Sequence, residues 1–116
     1  MDSLGLANLI TDIVVDLLGE NVVVLDLKEV TTFTDYFIIA SASSYRQIAA
    51  MQSRIREEMK NLDEPLLAKN VEGVSDSGWI LIDFNSVIVH LFDHEMRDYY
   101  QLEELWRNGR VVAHIQ

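Results

Sequence analysis

The chain has 116 residues, of which 49% are hydrophobic, so it has the size and apolar content of one domain with its own core. It contains no run of about eighteen apolar residues and no basic patch ahead of an apolar run near its start, so neither a membrane span nor a secretory signal is expected. Cysteine is absent, which excludes disulfides, thiol nucleophiles and cysteine metal sites. We therefore expect a single domain over residues 1–116, located in the cytoplasm.

The charge balance restricts the partners. Nine Lys and Arg against nineteen Asp and Glu give a net charge of −10. Such a field repels phosphate backbones, and the basic residues form no stripe, so direct binding of nucleic acid is not expected. The same field favours approach to a basic protein, although acidity that merely keeps the protein soluble would give the same composition.

Three elements are predicted in the first part of the chain. Apolar residues recur at spacings of three and four over residues 6–18, and Gly19 follows, which is typical of an amphipathic helix and its C-cap. The apolar run 22–25 predicts a buried strand. The aromatic and β-branched run 36–40 predicts a second strand.

A long helix comes next. Ser43 or Ser44 suits its N-cap, and an apolar stripe faces a charged one until the helix ends near Asn61. Residues 66–73 contain at most a short strand.

The second half of the chain holds the strongest local pattern. The runs 79–84 and 87–92 flank the dipeptide Asn85-Ser86, which predicts a tight hairpin. Residues 94–106 predict a helix, and the residues after Asn108-Gly109 form an apolar end. The order α-β-β-α-(β)-β-β-α predicts an α/β (α+β) domain with a mixed β-sheet flanked by helices.

Some polar residues raise the question of catalysis. Asp93 and Glu95 would share a face on a strand, as metal-dependent phosphoryl transfer requires, but at a helix start they would be solvated carboxylates. His90, Asp93 and His94 lack the helical spacing of a metal site, which favours structural roles. The serine loop 41–44 lacks the glycines and lysine of a P-loop, so N-capping is favoured. The sequence therefore predicts no catalytic, cofactor-binding or metal-binding residue.

Large amphipathic side chains concentrate near the C-terminal half. Several are of the types that dominate protein interfaces, and the set comprises Trp79, Arg97, Tyr99, Tyr100, Leu102, Glu103, Leu105 and Trp106. We expect Leu102, Leu105 and Trp106 to be core anchors of the terminal helix. For Trp79, Arg97 and Tyr99 both core and interface roles are open.

From its first helix to Trp106 the chain resembles the ribosomal silencing factors, also called the Iojap-like proteins. The matching segments are Thr34-Asp35-Tyr36-Phe37-Ile38-Ile39, Ser43 with Gln47, Glu72-Gly73, Gly78-Trp79-Ile80-Leu81-Ile82-Asp83-Phe84, Val87-Ile88-Val89-His90-Leu91-Phe92 and Arg97-Asp98-Tyr99-Tyr100-Gln101-Leu102-Glu103-Glu104-Leu105-Trp106. Their order and spacing span most of the chain.

The resemblance implies a fold, a partner and an assembly. The fold is a nucleotidyltransferase-like core without its enzymatic machinery, because the serine loop has Ala42 and no glycine. The partner is the large ribosomal subunit, bound through its fourteenth protein. There the domain would sterically block joining of the small subunit, or it would assist large-subunit assembly. The resemblance also implies a homodimer, through an exposed sheet edge or the first helix.

The partner-binding residues are taken from the polar or amphipathic members of the matching segments: Trp79, Asp83, His90, Arg97, Tyr99 and Glu103. One alternative is a metal-dependent nucleotidyltransferase or phosphoryl-transfer enzyme that uses Asp93 and Glu95. A second alternative is a self-assembling or regulatory module with an unrelated partner.

Overall fold

The computed structural model describes residues 1–116 as one six-stranded sheet with helices on both faces. The helices are α1 (Ser3–Asp16), α2 (Tyr45–Lys60), α3 (His94–Tyr100) and α4 (Leu102–Leu105). The strands are β1 (Glu20–Asp26), β2 (Tyr36–Ala42), β3 (Asn70–Glu72), β4 (Trp79–Asp83), β5 (Val87–Asp93) and β6 (Arg110–Ile115). None of the helices is long and apolar enough to cross a membrane.

The sheet is mixed, as the sequence predicts. Its strand order is β3-β4-β5-β2-β1-β6, and β2 with β5 is its one parallel pair. A parallel pair needs a long crossover, which here contains α2 and the β3–β4 segment. The predicted hairpin is confirmed, because β4 and β5 pair as neighbours and Asn85 turns the chain with a φ of 76°.

The two long helices, α1 and α2, pack on one face of the sheet. Buried residues of α1 and α2, among them Ile10, Val14, Ile48 and Met51, belong to a core cluster of 21 buried residues. The strand residues of that cluster alternate along each strand, because side chains one residue apart point to opposite faces. This face is therefore covered by the protein's own helices.

Side-chain hydrogen bonds fix where the long helices meet. Ser44 Oγ accepts from the Gln47 amide, which confirms Ser44 as the N-cap of α2. The Gln47 side chain then donates to the carbonyls of Leu17 and Leu18 at 2.9 and 3.0 Å. The end of α1 and the start of α2 are thus joined by one glutamine.

One prediction about the C-terminal part is wrong, and the structure adds a strand that the sequence does not predict. The helix expected over residues 94–106 is broken at Gln101, whose φ of 51° is left-handed, and so becomes α3 and α4. The apolar end forms β6, which pairs antiparallel with β1. The apolar strand β1 is buried, so the polar backbone groups on its outer edge need a partner, and β6 supplies it.

We predict that Gly78→Ala destabilises the fold by about 2 kcal/mol, because the residue has a left-handed backbone that favours glycine. Its φ is 85°, and a Cβ there would lie 2.5 Å from Asp93 Oδ2 and 2.8 Å from Met96 Cγ. The free energy of unfolding in urea checks this. Gly5→Ala in α1 is the matched control, since its Cβ would meet only the side chains of Met1 and Asp2. Equal stability of both variants would contradict the prediction.

Candidate functional site

The face of the sheet opposite α1 and α2 is rich in aromatic residues. Strand alternation points Trp79, Leu81 and Asp83 of β4 toward this face. Their neighbours across the β4–β5 pair are Phe92, opposite Trp79, and His90, opposite Leu81. The short helices α3 and α4 lie on this side and provide the remaining aromatic side chains.

Eight rings on this side form one connected network, which we call the aromatic face. Its members are Phe33, Phe37, Trp79, His90, Phe92, Tyr99, Tyr100 and Trp106. The closest pairs are Trp79 with Tyr100, whose ring centroids are 4.5 Å apart, and Phe37 with His90 at 4.6 Å. Both pairs have the tilted or edge-on geometry that aromatic rings prefer.

The aromatic face is only partly covered. Helix α3 has no buried residue and α4 buries only Leu102. Tyr99 of α3 is therefore 75% exposed. Phe33, in the loop before β2, is 53% exposed, while Phe92 and His90 of β5 are buried. Exposed large aromatic side chains around a buried centre are typical of a protein interaction site.

His90 positions Trp79 from below. The Trp79 indole Nε1–H donates to His90 Nδ1 at 3.2 Å, so the His90 proton lies on Nε2, which is buried without a partner. Burial lowers the pKa of His90 to about 3. His90 is therefore neutral at physiological pH and fixes the indole without reaching the surface itself.

Arg97 joins the short helices to the sheet. Its guanidinium donates to Ser41 Oγ at 3.0 Å and to the Glu20 carbonyl at 3.4 Å, and its Nε pairs with Glu103 at 3.3 Å. The Arg97 side chain is only 11% exposed. Arg97 and Glu103 thus hold α3 and α4 in place over β1 and β2.

The six predicted partner-binding residues therefore occupy different places. Trp79, His90 and Tyr99 belong to the aromatic face, whereas Arg97 and Glu103 form the ion pair beside it. The sixth residue, Asp83, lies at the hairpin end of β4, where its Oδ1 accepts from the Asn85 amide at 2.7 Å. Contact of these residues with a partner stays a prediction.

The structure adds residues to the site and corrects one expectation. Phe33 and Phe37 both contact Trp106 edge-on, although Phe33 lies in a loop without any periodicity. Leu102 is buried and Trp106 packs against the smaller core cluster, as expected for core anchors. The expectation for Leu105 is wrong, since it is 71% exposed. The break at Gln101 turns Leu105 away from the sheet.

The groups considered for catalysis have structural partners. In the serine loop the Ser43 amide and hydroxyl both donate to Gln47 Oε1, at 2.7 and 2.8 Å. Asp93 Oδ1 accepts from the Met96 amide and caps α3, and Glu95 is exposed in the first turn of that helix. No group of three or more His, Asp and Glu residues is arranged to hold a metal ion.

Comparison with known proteins assigns the chain to a family. The family model described as "Ribosomal silencing factor during starvation" matches residues 1–116. The chain is 31% identical to the ribosomal silencing factor RsfS of Halalkalibacterium halodurans over 112 residues, covering 97% of this chain and 94% of the relative. It is 32% identical to the mouse "Mitochondrial assembly of ribosomal large subunit protein 1", covering 82% of this chain and 44% of that longer protein.

A solved structure has the same architecture. The crystal structure of a Chromobacterium violaceum protein superposes with a TM-score of 0.86 and 26% identity, covering 100% of this chain and 94% of the other. The fold class is thus an α+β domain with a mixed six-stranded sheet between helices. The chain belongs to the ribosomal silencing factor family, whose name describes ribosome-associated regulation.

We predict that His90 makes stability depend on pH below its ordinary pKa of 6.5. The unfolded chain takes up a proton there that folded His90 does not accept until about pH 3, so the free energy of unfolding falls as the pH drops through this window. Between pH 7.5 and 5.5 the wild type should lose about 1 kcal/mol more than His90→Phe, measured by urea unfolding. The exposed histidines His94 and His114 are present in both proteins. Equal losses would contradict the assignment.

Proposed function

We propose that this protein represses translation by binding the large ribosomal subunit through its fourteenth protein, which sterically blocks joining of the small subunit. It does so in the cytoplasm and without catalysis. The observation that carries the proposal is the aromatic face, whose buried centre and exposed Tyr99 and Phe33 have the make-up of an interface. Family membership supports the ribosome as the target.

The charge of the protein supports a basic protein partner. A net charge of −10 accelerates approach to the positive proteins of the ribosome and opposes contact with ribosomal RNA. An interface of standard size covers roughly 800 Å² on each partner. A domain seated on such an area of the joining surface would exclude a second body from the same place.

The positions of the enzyme-like residues support a role without catalysis. A phosphate bound at the serine loop would need the Ser43 amide, which already donates to Gln47 Oε1. The Asp93 carboxylate is engaged as the cap of α3. An enzyme of the nucleotidyltransferase type would have both groups free for substrate and metal.

Assistance in large-subunit assembly is a second candidate, favoured by the name of the mouse relative. The two roles differ in what they require of the mature subunit. A silencing factor binds mature large subunits and blocks joining, whereas an assembly factor acts on precursors.

Co-sedimentation with purified large and small subunits across a salt series, followed by subunit re-joining, tests the proposal. We expect binding to the large subunit alone and inhibited joining. Binding without inhibition would favour the assembly role. No binding at low salt would overturn both and would favour the unrelated-partner alternative. Metal-dependent nucleotide turnover that is lost on changing Asp93 or Glu95 would instead favour the enzyme.

We predict that Tyr99→Ala weakens binding to the large subunit about tenfold, because an exposed tyrosine at such a face contributes as a hot-spot residue. The side chain is 75% exposed, so its removal leaves the core intact. The matched control is Tyr45→Ala, since Tyr45 is 50% exposed at the start of α2, on the other side of the sheet. Dissociation constants for both variants decide this. A similar loss in both would remove the aromatic face from the interface.

We further propose that the protein forms a homodimer through the outer edge of β6. This edge is unpaired and six residues long, and it carries the exposed side chains of Val111, Val112 and Ile115. The opposite edge, β3, has only three residues. A long unpaired edge with apolar side chains is suited to pairing with a second strand.

We predict that Val111→Lys shifts the protein toward monomer, because lysine on an edge strand opposes edge-to-edge pairing. Analytical ultracentrifugation over a concentration series measures the shift. Leu18→Lys is the matched control and tests the end of the first helix as the alternative contact, since Leu18 is 76% exposed two residues after α1. If dissociation followed Leu18→Lys instead, α1 and not β6 would form the contact.

A further inference from the structure

A cleft of about 350 Å³ opens beside Trp79, at the edge of the aromatic face, and none of the six predicted partner-binding residues except Trp79 lines it. Its walls are formed by Glu72, Ser77, Trp79, Leu81, Met96 and Tyr100. Its size is at the lower end for a small-molecule pocket and suits one long side chain.

Backbone pairing places an acidic group against the aromatic wall. Glu72 of β3 is opposite Leu81 of β4, so its side chain points to the same face as those of Leu81 and Trp79. Gly73 continues this strand with a φ of 87°, where a Cβ would collide with the Trp79 carbonyl. The β3 end is therefore held tightly against β4, and the exposed Glu72 lies beside the indole.

The carboxylate in this cleft has no partner within the protein. Glu72 takes part in none of the seven ion pairs, and none of the nine Lys and Arg residues lines the cleft. Asp76, in the short 3₁₀ turn Ser75–Ser77, adds a further negative charge nearby.

The cleft is also short of hydrogen-bond donors. The Trp79 N–H is directed to His90. The single Ser77 hydroxyl proton is directed to the Val74 carbonyl at 2.7 Å, with the Trp79 carbonyl as a second acceptor at 3.2 Å. Among the lining side chains only the Tyr100 hydroxyl keeps a donor for a ligand. The cleft therefore offers aromatic rings, a carboxylate and acceptor oxygens, and it would repel a phosphate or a carboxylate.

We infer that this cleft receives an arginine side chain of the partner protein, an inference that rests on the proposed function. A guanidinium group has five donors and no acceptor, so it complements an acceptor-rich cleft. Its planar form can stack on the Trp79 or Tyr100 ring while it pairs with the Glu72 carboxylate. Lysine has the same charge but lacks the plane and the fork geometry.

The cleft can be tested without the ribosome. In NMR spectra of the full chain, the indole N–H signal of Trp79 is identified by comparison with Trp106→Phe and followed during titration with N-acetyl-arginine methylamide. We expect a saturable shift that Glu72→Lys abolishes and that Glu57→Lys, on the exposed side of α2, leaves unchanged. A shift as large with the apolar N-acetyl-norleucine methylamide, or no shift, would overturn the inference. Equal binding of the lysine analogue would overturn the choice of arginine.

Binding to purified large subunits then tests the cleft in its proposed setting. We predict that Glu72→Lys weakens binding about tenfold and that Glu57→Lys, with the same change in net charge, weakens it less than about twofold. Equal weakening by both would mean that only net charge matters and would overturn the inference. If the wild type binds no large subunit, the proposed function fails, while the arginine titration still decides whether the cleft exists as a cation site.

Discussion

The mixed sheet has two apolar faces but only two long helices to cover them. Helices α1 and α2 cover most of one face, and the other is left to α3 and α4, which have seven and four residues. A strand with apolar residues on both sides must bury both, because exposed apolar area is costly. On this second face, aromatic side chains that pack on one another bury the area that the short helices leave uncovered. The aromatic face is thus a second core that is incompletely covered.

This incomplete cover explains why the residues of the aromatic face differ so much in exposure. Phe92 and His90 form its floor, Trp79 is half-buried above them, and Tyr99 extends into solvent. A rigid floor limits the conformations of the upper rings, so less entropy is lost when a partner binds. The ion pair of Arg97 with Glu103 acts in the same direction, because it fixes the helix that carries Tyr99.

Local patterns in the sequence predict much of this architecture. The hairpin, a cap at Ser43 or Ser44 and the mixed sheet follow from alternation, turn residues and capping, which are properties of neighbouring residues. The break at Gln101 and the strand β6 do not, because they depend on distant groups: Arg97 reaches Ser41 and Glu20, and β6 completes the hydrogen bonding of β1. Long-range pairing of this kind has no periodic signal within its own segment.

The candidate site shows the same limit. Residue type and motif matching select Trp79, Tyr99 and Arg97 alike. In the structure Trp79 lines a cleft, Tyr99 protrudes into solvent, and Arg97 is nearly buried where it holds α3 to the sheet. Glu72 belongs to a matching segment but has no distinctive neighbours in sequence, and its place beside Trp79 follows only from the β3–β4 register. Sequence therefore identifies some members of such a face, such as Trp79 and Tyr99, but not Phe33. Strand register and helix placement determine which of these residues are buried, which hold others in place and which are exposed to a partner. These positions in turn determine whether a substitution affects binding or stability.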